Sequence, residues 1–191
     1  MALASVIQLP RVKDEPIDDD LHLARRCAAG DGGAFESIYR AHADRMKSIA
    51  YHHLGNVADA EDAVQETFLK IHRAASTYTG EAAFSTWLYR ILVNTCYDAM
   101  RRRRRRPQEA PIDNLVTLTR AASNVDDAKR LMLARLLREL PEQRRTVFVL
   151  FEIEGFSHAE IAAIAGISEA NSKWILFSTK RQLQEKWTHE H

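Results

Sequence analysis

The sequence predicts an all-α fold: two small helical domains joined by a flexible linker. Three observations lead there. Apolar residues recur at spacings of three and four, and no stretch alternates with period two for long. Seven glycines and five prolines punctuate the 191 residues at the ends of these periodic stretches. Finally, Pro107 to Asp127 is acidic, holds two prolines and has no periodicity, as a linker between two helical blocks would.

The elements follow in chain order. Residues 1–20 carry two basic and five acidic side chains and Pro16, which reads as a flexible acidic tail. Leu21, Ala24 and Ala28 start a helix that stops at Gly30. Asp31 is placed to cap the next, where Phe35, Ile38, Met46, Ile49 and Leu54 keep helical spacing until Gly55-Asn56 ends it. In Asp59 to Ala74, Ala60, Val64, Phe68 and Ile71 share one face, and Asp62, Gln65, Glu66 and Leu69 lie off it. Ser76 to Gly80 reads as a loop. A helix from about Ser85 then runs into six consecutive arginines, Arg101 to Arg106, before Pro107 breaks it. Past the linker, Leu131 to Leu140, Val147 to Phe151, Ser157 to Ala165 and Ser168 to about Trp187 make a four-helix unit. The expected divisions are therefore 1–20 tail, 21–106 first domain, 107–127 linker and 128–191 second domain.

Composition narrows the function. Apolar residues are 46% and charged ones 28%, the balance of a globular protein. No apolar run approaches the roughly 18 residues of a membrane helix, and Met1–Pro10 lacks a basic start and cleavage site, so a cytoplasmic protein is expected. Cys27 and Cys96 are too few for a disulfide scaffold and lack metal-ligand spacing. The eight histidines, His52-His53 and His189/His191 among them, form no ligand set with carboxylates and read as solvated; no cofactor, metal, small-molecule substrate or enzymatic activity is expected. The net charge of +1 conceals segregation, since residues 21–106 carry fourteen basic against nine acidic side chains. Such a block suggests a polyanion partner, although ordinary solvated helix faces remain an alternative on charge alone.

Three constellations sharpen this. In Gly155 to Ser168, Ser157 and Glu160 have capping-box spacing, Ala162 is small where helices approach, Gly166 suits a tight turn and Ser168 caps the next helix. That is the pattern of a helix-turn-helix, favoured over a generic helical hairpin. The six arginines exceed the one or two cations a helix terminus would use, which favours phosphate contacts. Tyr78, Phe84, Trp87 and Tyr89 lie beside them, an arrangement suited to unstacked bases, and Trp87, Arg90, Asn94, Asp98 and Arg101 share a helix face. Aromatics on a helix are by themselves more often core.

These residues resemble a known family. Asp59-Ala60-Glu61-Asp62-Ala63-Val64-Gln65-Glu66-Thr67-Phe68-Leu69-Lys70-Ile71 resembles the core-polymerase-binding helix of bacterial sigma factors. Phe84-Ser85-Thr86-Trp87-Leu88-Tyr89-Arg90-Ile91, with Asn94, Asp98 and the arginines, resembles their promoter-melting helix, and Leu140-Pro141 through Lys180 their helix-turn-helix domain. Two domains without further regions are similar to the extracytoplasmic-function (ECF) group. The resemblance implies an initiation factor that directs promoter recognition and −10 melting, acts in a stress or signal response and is restrained by an anti-sigma factor. It implies partners in promoter DNA and in core RNA polymerase, through the β′ clamp helices and the β flap. Asp59, Asp62, Gln65, Glu66 and Leu69 would bind the polymerase. Tyr78, Phe84, Trp87, Arg90, Asn94, Asp98, Arg101, Arg102, Arg103 and Arg104 would meet the −10 element, and Ser157, Ser168, Asn171, Lys173, Trp174, Phe177 and Lys180 the −35 element.

The recognition helix departs from the family. A Gly-Thr-Val-Lys-Ser-Arg-Leu-x-Arg-Ala-Arg run is usual after the capping serine, where this chain has Ala170 to Lys180. Two expected arginines are Ile175 and Ser178, Trp174 and Phe177 are apolar, and Ser172 replaces a residue normally buried. Either the helix reads an atypical −35 element, with thymine methyls against the apolar groups, or Trp174, Ile175 and Phe177 form a protein-binding patch. The alternative function is a two-domain DNA-binding regulator acting without polymerase, which leaves the Asp59–Ile71 motif unexplained.

Overall fold

A computed structural model describes residues 20–105 and 125–189, and its described residues are helical with short turns. The expectations for the tail, for Arg106 and for most of the linker lie outside the described residues. In order, the helices are α1 (Asp20–Ala28), α2 (Gly32–Leu54), α3 (Val57–Ala74), α4 (Phe84–Arg105), α5 (Val125–Glu139), α6 (Glu142–Phe148), α7 (His158–Ala165) and α8 (Glu169–His189). A 3₁₀ turn (Ala75–Thr77) follows α3, and α5 begins three residues inside the expected linker.

Local chemistry sets these boundaries. The Asp31 carboxylate accepts from the N–H groups of Gly33 and Ala34 at 2.9 and 3.2 Å, occupying donors that the first turn of α2 cannot use. Gly55, at φ 80°, takes the left-handed conformation that closes α2, and its N–H reaches Tyr51 O at 2.8 Å. The Asn56 side chain then caps α3 through Asp59 N at 2.7 Å. Buried Ala60, Ala63, Val64, Thr67, Phe68 and Ile71 form the inner face of α3, as its periodicity predicts.

The two expected domains pack on each other and share one continuous apolar core, from Leu23 to Trp187. Helix α4 lies on α7, and α2 meets α5 and α6. Buried polar groups stitch this apolar seam. Arg45 of α2 crosses to Glu154, with Nε 3.3 Å from Oε2 and Nη2 donating to the Glu154 carbonyl at 2.5 Å; both side chains are buried. Ser48 donates to the same carboxylate at 2.6 Å, and the guanidinium lies 4.0 Å from the Phe156 ring centre. Glu154 is aimed by a widened helical turn, Val149–Ile153, whose five-residue hydrogen bond runs from Glu154 N to Val149 O.

Arg145 of α6 is the other stitch. Its buried guanidinium donates to Leu137 O (2.8 Å), Arg138 O (2.6 Å), Leu140 O (3.1 Å) and His53 O (2.5 Å). These carbonyls end α5 and α2, so one cation answers the negative termini of two helices.

The expectation that the histidines are solvated is corrected at His42 and His53, which are buried. His42 Nδ1 sits 3.1 Å from the Tyr89 hydroxyl. His53 Nδ1 is 2.9 Å from Ile49 O and must carry the proton there, leaving Nε2 to accept from the Thr146 hydroxyl at 2.9 Å. Burial pushes the pKa of both His52 and His53 down to about 4. A folded-state value below the ordinary one means that the unfolded chain takes up the proton first. This stabilisation is complete above about pH 6.5 and is lost as pH falls toward 4, on the order of 3 kcal/mol per histidine. Urea midpoints from pH 7.5 to 4.5 are expected to fall for the wild type and to fall less for His53→Gln; parallel curves would refute the assignment.

The Thr179 hydroxyl is fully buried with no hydrogen-bond partner among the described residues. Thr179→Val keeps the shape and removes the stranded group, so a gain of about 1 kcal/mol is expected in urea unfolding.

Candidate polymerase and nucleic-acid interfaces

On α3 the side chains left off the buried face form an exposed ridge: Asp62, Gln65 and, at 58% exposure, Leu69. Asp59 and Glu66 lie half-buried beside it. An apolar side chain standing in water among carboxylates gains nothing within this chain, and such residues mark interfaces when clustered with polar neighbours. Between α3 and α4 runs a cleft of about 250 Å³ lined in part by Asp59, Asp62, Glu66, Arg102 and Arg103.

The arginines stand across that cleft. Arg102 pairs with Glu66 at 2.8 Å, Arg103 with Asp59 at 3.6 Å, Arg101 with Asp98 at 2.6 Å and Arg104 with Glu142 of α6 at 3.1 Å. The Arg102 guanidinium, followed by Lys70, holds the Glu66 carboxyl below its usual range. The self-repulsion expected of an arginine run is thus relieved within the chain by carboxylates that adjacent-residue counting does not bring together. Each exposed pair contributes little, about 0–1 kcal/mol, and exchanges readily for a phosphate.

The aromatics divide in two. Tyr89 is fully buried, its ring 5.0 Å from Phe156, and Phe84 is buried at 1% exposure. The sequence places Phe84 among base contacts; its burial corrects this, because a ring with no open face cannot stack on a base. Phe84 is instead the floor beneath Trp87, the two rings stacked 5.5 Å apart at 17°. Tyr78 leans on both and donates its hydroxyl to Ala82 O at 2.6 Å. Trp87 and Tyr78 remain partly open, Arg90 and Asn94 are exposed, and Asp98 is half-open on the same face of α4. This is a supported aromatic step beside a basic strip.

In the C-terminal half, α7, the turn at Gly166 (φ 67°) and α8 form the expected helix-turn-helix. The Ser157 hydroxyl joins a capping box with Glu160, and Ser168 Oγ accepts from Asn171 N at 3.1 Å, so both serines serve as helix caps. Asn171 and Lys173 are exposed; Lys173 pairs with Glu169 at 2.6 Å and Lys180 with Glu152 at 2.8 Å. Ile175 is buried at 3% exposure, which removes it from the expected surface patch. Ser172 is buried, its hydroxyl 2.9 Å from His158 Nδ1, and the Phe151 ring stacks on His158 at 4.5 Å. A small polar residue is therefore accommodated because the first helix supplies its partner, a pairing fourteen residues away in sequence.

Residues 38–106 match the family described as Sigma-70 region 2, and residues 130–183 match Sigma-70, region 4. The chain is 32% identical over 154 residues to the ECF RNA polymerase sigma factor SigM of Mycobacterium tuberculosis, covering 81% of this chain and 77% of that one. It is 30% identical over 179 residues to the ECF RNA polymerase sigma-E factor of Escherichia coli K12, covering 87% and 93%. Among solved structures, CnrH in complex with the cytosolic domain of CnrY is similar at 26% identity and a TM-score of 0.69, covering 91% of this chain and all of that one.

Proposed function

Because the chain belongs to the ECF RNA polymerase sigma factors, we propose that its two halves divide promoter engagement between them. As a member it is a transcription initiation factor that binds RNA polymerase and promoter DNA, without catalysis of its own. In this reading residues 21–106 dock on the polymerase and open the −10 element, and residues 128–191 take the −35 element. The exposed ridge of Asp62, Gln65 and Leu69 carries the docking assignment, with Asp59 and Glu66 at its edge. Trp87 on its Phe84 floor, with Tyr78, Arg90, Asn94 and Asp98, receives unstacked bases. Arg101 to Arg104 exchange their carboxylate partners for phosphates. Flipping a base costs a few kcal/mol of stacking, which aromatic contact offsets, so no nucleotide hydrolysis is needed.

An anti-sigma factor restrains it in this reading, supported by the likeness to CnrH held by the cytosolic domain of CnrY. A cytoplasmic location and a stress or signal response go with it. No helix among the described residues is long and apolar enough to cross a membrane. Run-off transcription with core polymerase on a randomised promoter library tests the whole: start sites that appear only with this chain, with selected −10 and −35 blocks, are expected. DNA binding that ignores core polymerase would overturn it in favour of a free-standing regulator.

A further inference from the structure

On α8 the buried face holds Ser172, Ile175, Leu176, Thr179 and Leu183. Directly opposite, Ala170, Trp174, Phe177 and Arg181 succeed one another at i, i+4, i+7 and i+11, a single outward ridge. Trp174 is 60% and Phe177 69% exposed, two large rings one turn apart on the second helix of the helix-turn-helix. Cations stand around them, each with a partner it can trade for a phosphate: Lys173 beside Glu169 (2.6 Å) and Lys180 beside Glu152 (2.8 Å) on one flank, Arg181 beside Glu185 (3.6 Å) in line, and the Arg144 guanidinium, which donates to Gln182, 6.0 Å from the Trp174 ring centre. A cationic rim around an apolar centre fits a polyanion whose interior edge offers apolar groups. In the major groove a single base edge is apolar, the C5 methyl of thymine.

Resting on the assignment of residues 128–191 to the −35 element, we infer that Trp174 and Phe177 read thymine methyl groups and set sequence specificity there. The rings are separated by about 4.5 Å along the helix axis, against about 3.4 Å per base pair, so they meet thymines on neighbouring base pairs. Lys173, Lys180 and Arg181 take phosphates and position the helix without reading sequence.

The test uses holoenzyme reconstituted from core polymerase and the full chain, on a promoter selected from a randomised library. Deoxyuridine replaces the −35 thymines and removes the methyls alone. Wild-type holoenzyme is expected to bind about fourfold more weakly per methyl removed, about fifteenfold for two. The Trp174→Ala/Phe177→Ala holoenzyme is expected to bind thymine and deoxyuridine templates equally, with an unchanged melting temperature because both rings are exposed. If base-pair substitutions at −35 weaken binding but deoxyuridine does not, methyl reading is wrong while −35 contact stands. Equal deoxyuridine sensitivity in wild type and variant also overturns it, since other residues then read the methyls. If no change at −35 matters, the assignment of this domain fails and the inference falls with it. Loss of core-polymerase binding in the variant would make the ridge a protein contact and refute DNA reading.

Discussion

Arg145→Met is expected to cost about 3–5 kcal/mol of stability, a large part of what a domain of this size holds. The side chain is buried, and its guanidinium serves four carbonyls at two helix ends. Methionine fills comparable volume but donates nothing, so Leu137, Arg138, Leu140 and His53 lose a charged donor in a place water does not readily reach. Lysine keeps the charge without the planar fork, so Arg145→Lys is expected to recover only part of the loss. The urea midpoint reads both variants, and hydrogen exchange at the ends of α2 and α5 locates the damage. A change under about 1 kcal/mol in Arg145→Met would mean that these carbonyls are satisfied without the guanidinium.

Leu69→Asp is expected to lower affinity for core polymerase by at least about thirtyfold, the effect of removing one interface anchor. Leu69 is 58% exposed on α3, so the fold gives up little when it changes, and the melting temperature is expected to hold. The substitution also adds a charge beside Asp62 and Glu66, which opposes an apolar docking contact. Fluorescence titration of labelled chain with core polymerase measures it. Unaltered affinity would move the docking surface away from this ridge.

Much of this was legible in the residues. Periodicity located the inner face of α3, and the caps at Asp31, Gly55, Ser157 and Gly166 stand where residue type required. The closing of the two halves was not legible, for a physical reason. Its apolar seam is stitched by Arg45, Glu154, Arg145, His53 and Thr146, residues that pattern reading assigns to water, and each is satisfied by a partner between 5 and 109 positions away. The partners of the arginine run were likewise not legible, since Glu66 and Asp59 lie on α3 and Glu142 on α6. Phe84 and Trp87 share a helix and a chemistry, yet one is floor and the other step. Only packing distinguishes them.

A compact body of the size of the described residues, 20–105 and 125–189, is about 40 Å across. Elements centred some 25 base pairs apart lie on the order of 85 Å from each other along DNA. With its halves assigned to the two elements, the closed body straddles only a fraction of that stretch, so the shared core and the stitches at Arg45 and Arg145 must open before both are held. Every 1.4 kcal/mol by which the closed state is favoured lowers the fraction of opened molecules tenfold. On that assignment, the energy that holds the two halves together, apolar core and polar stitches alike, sets how readily the chain can start a gene.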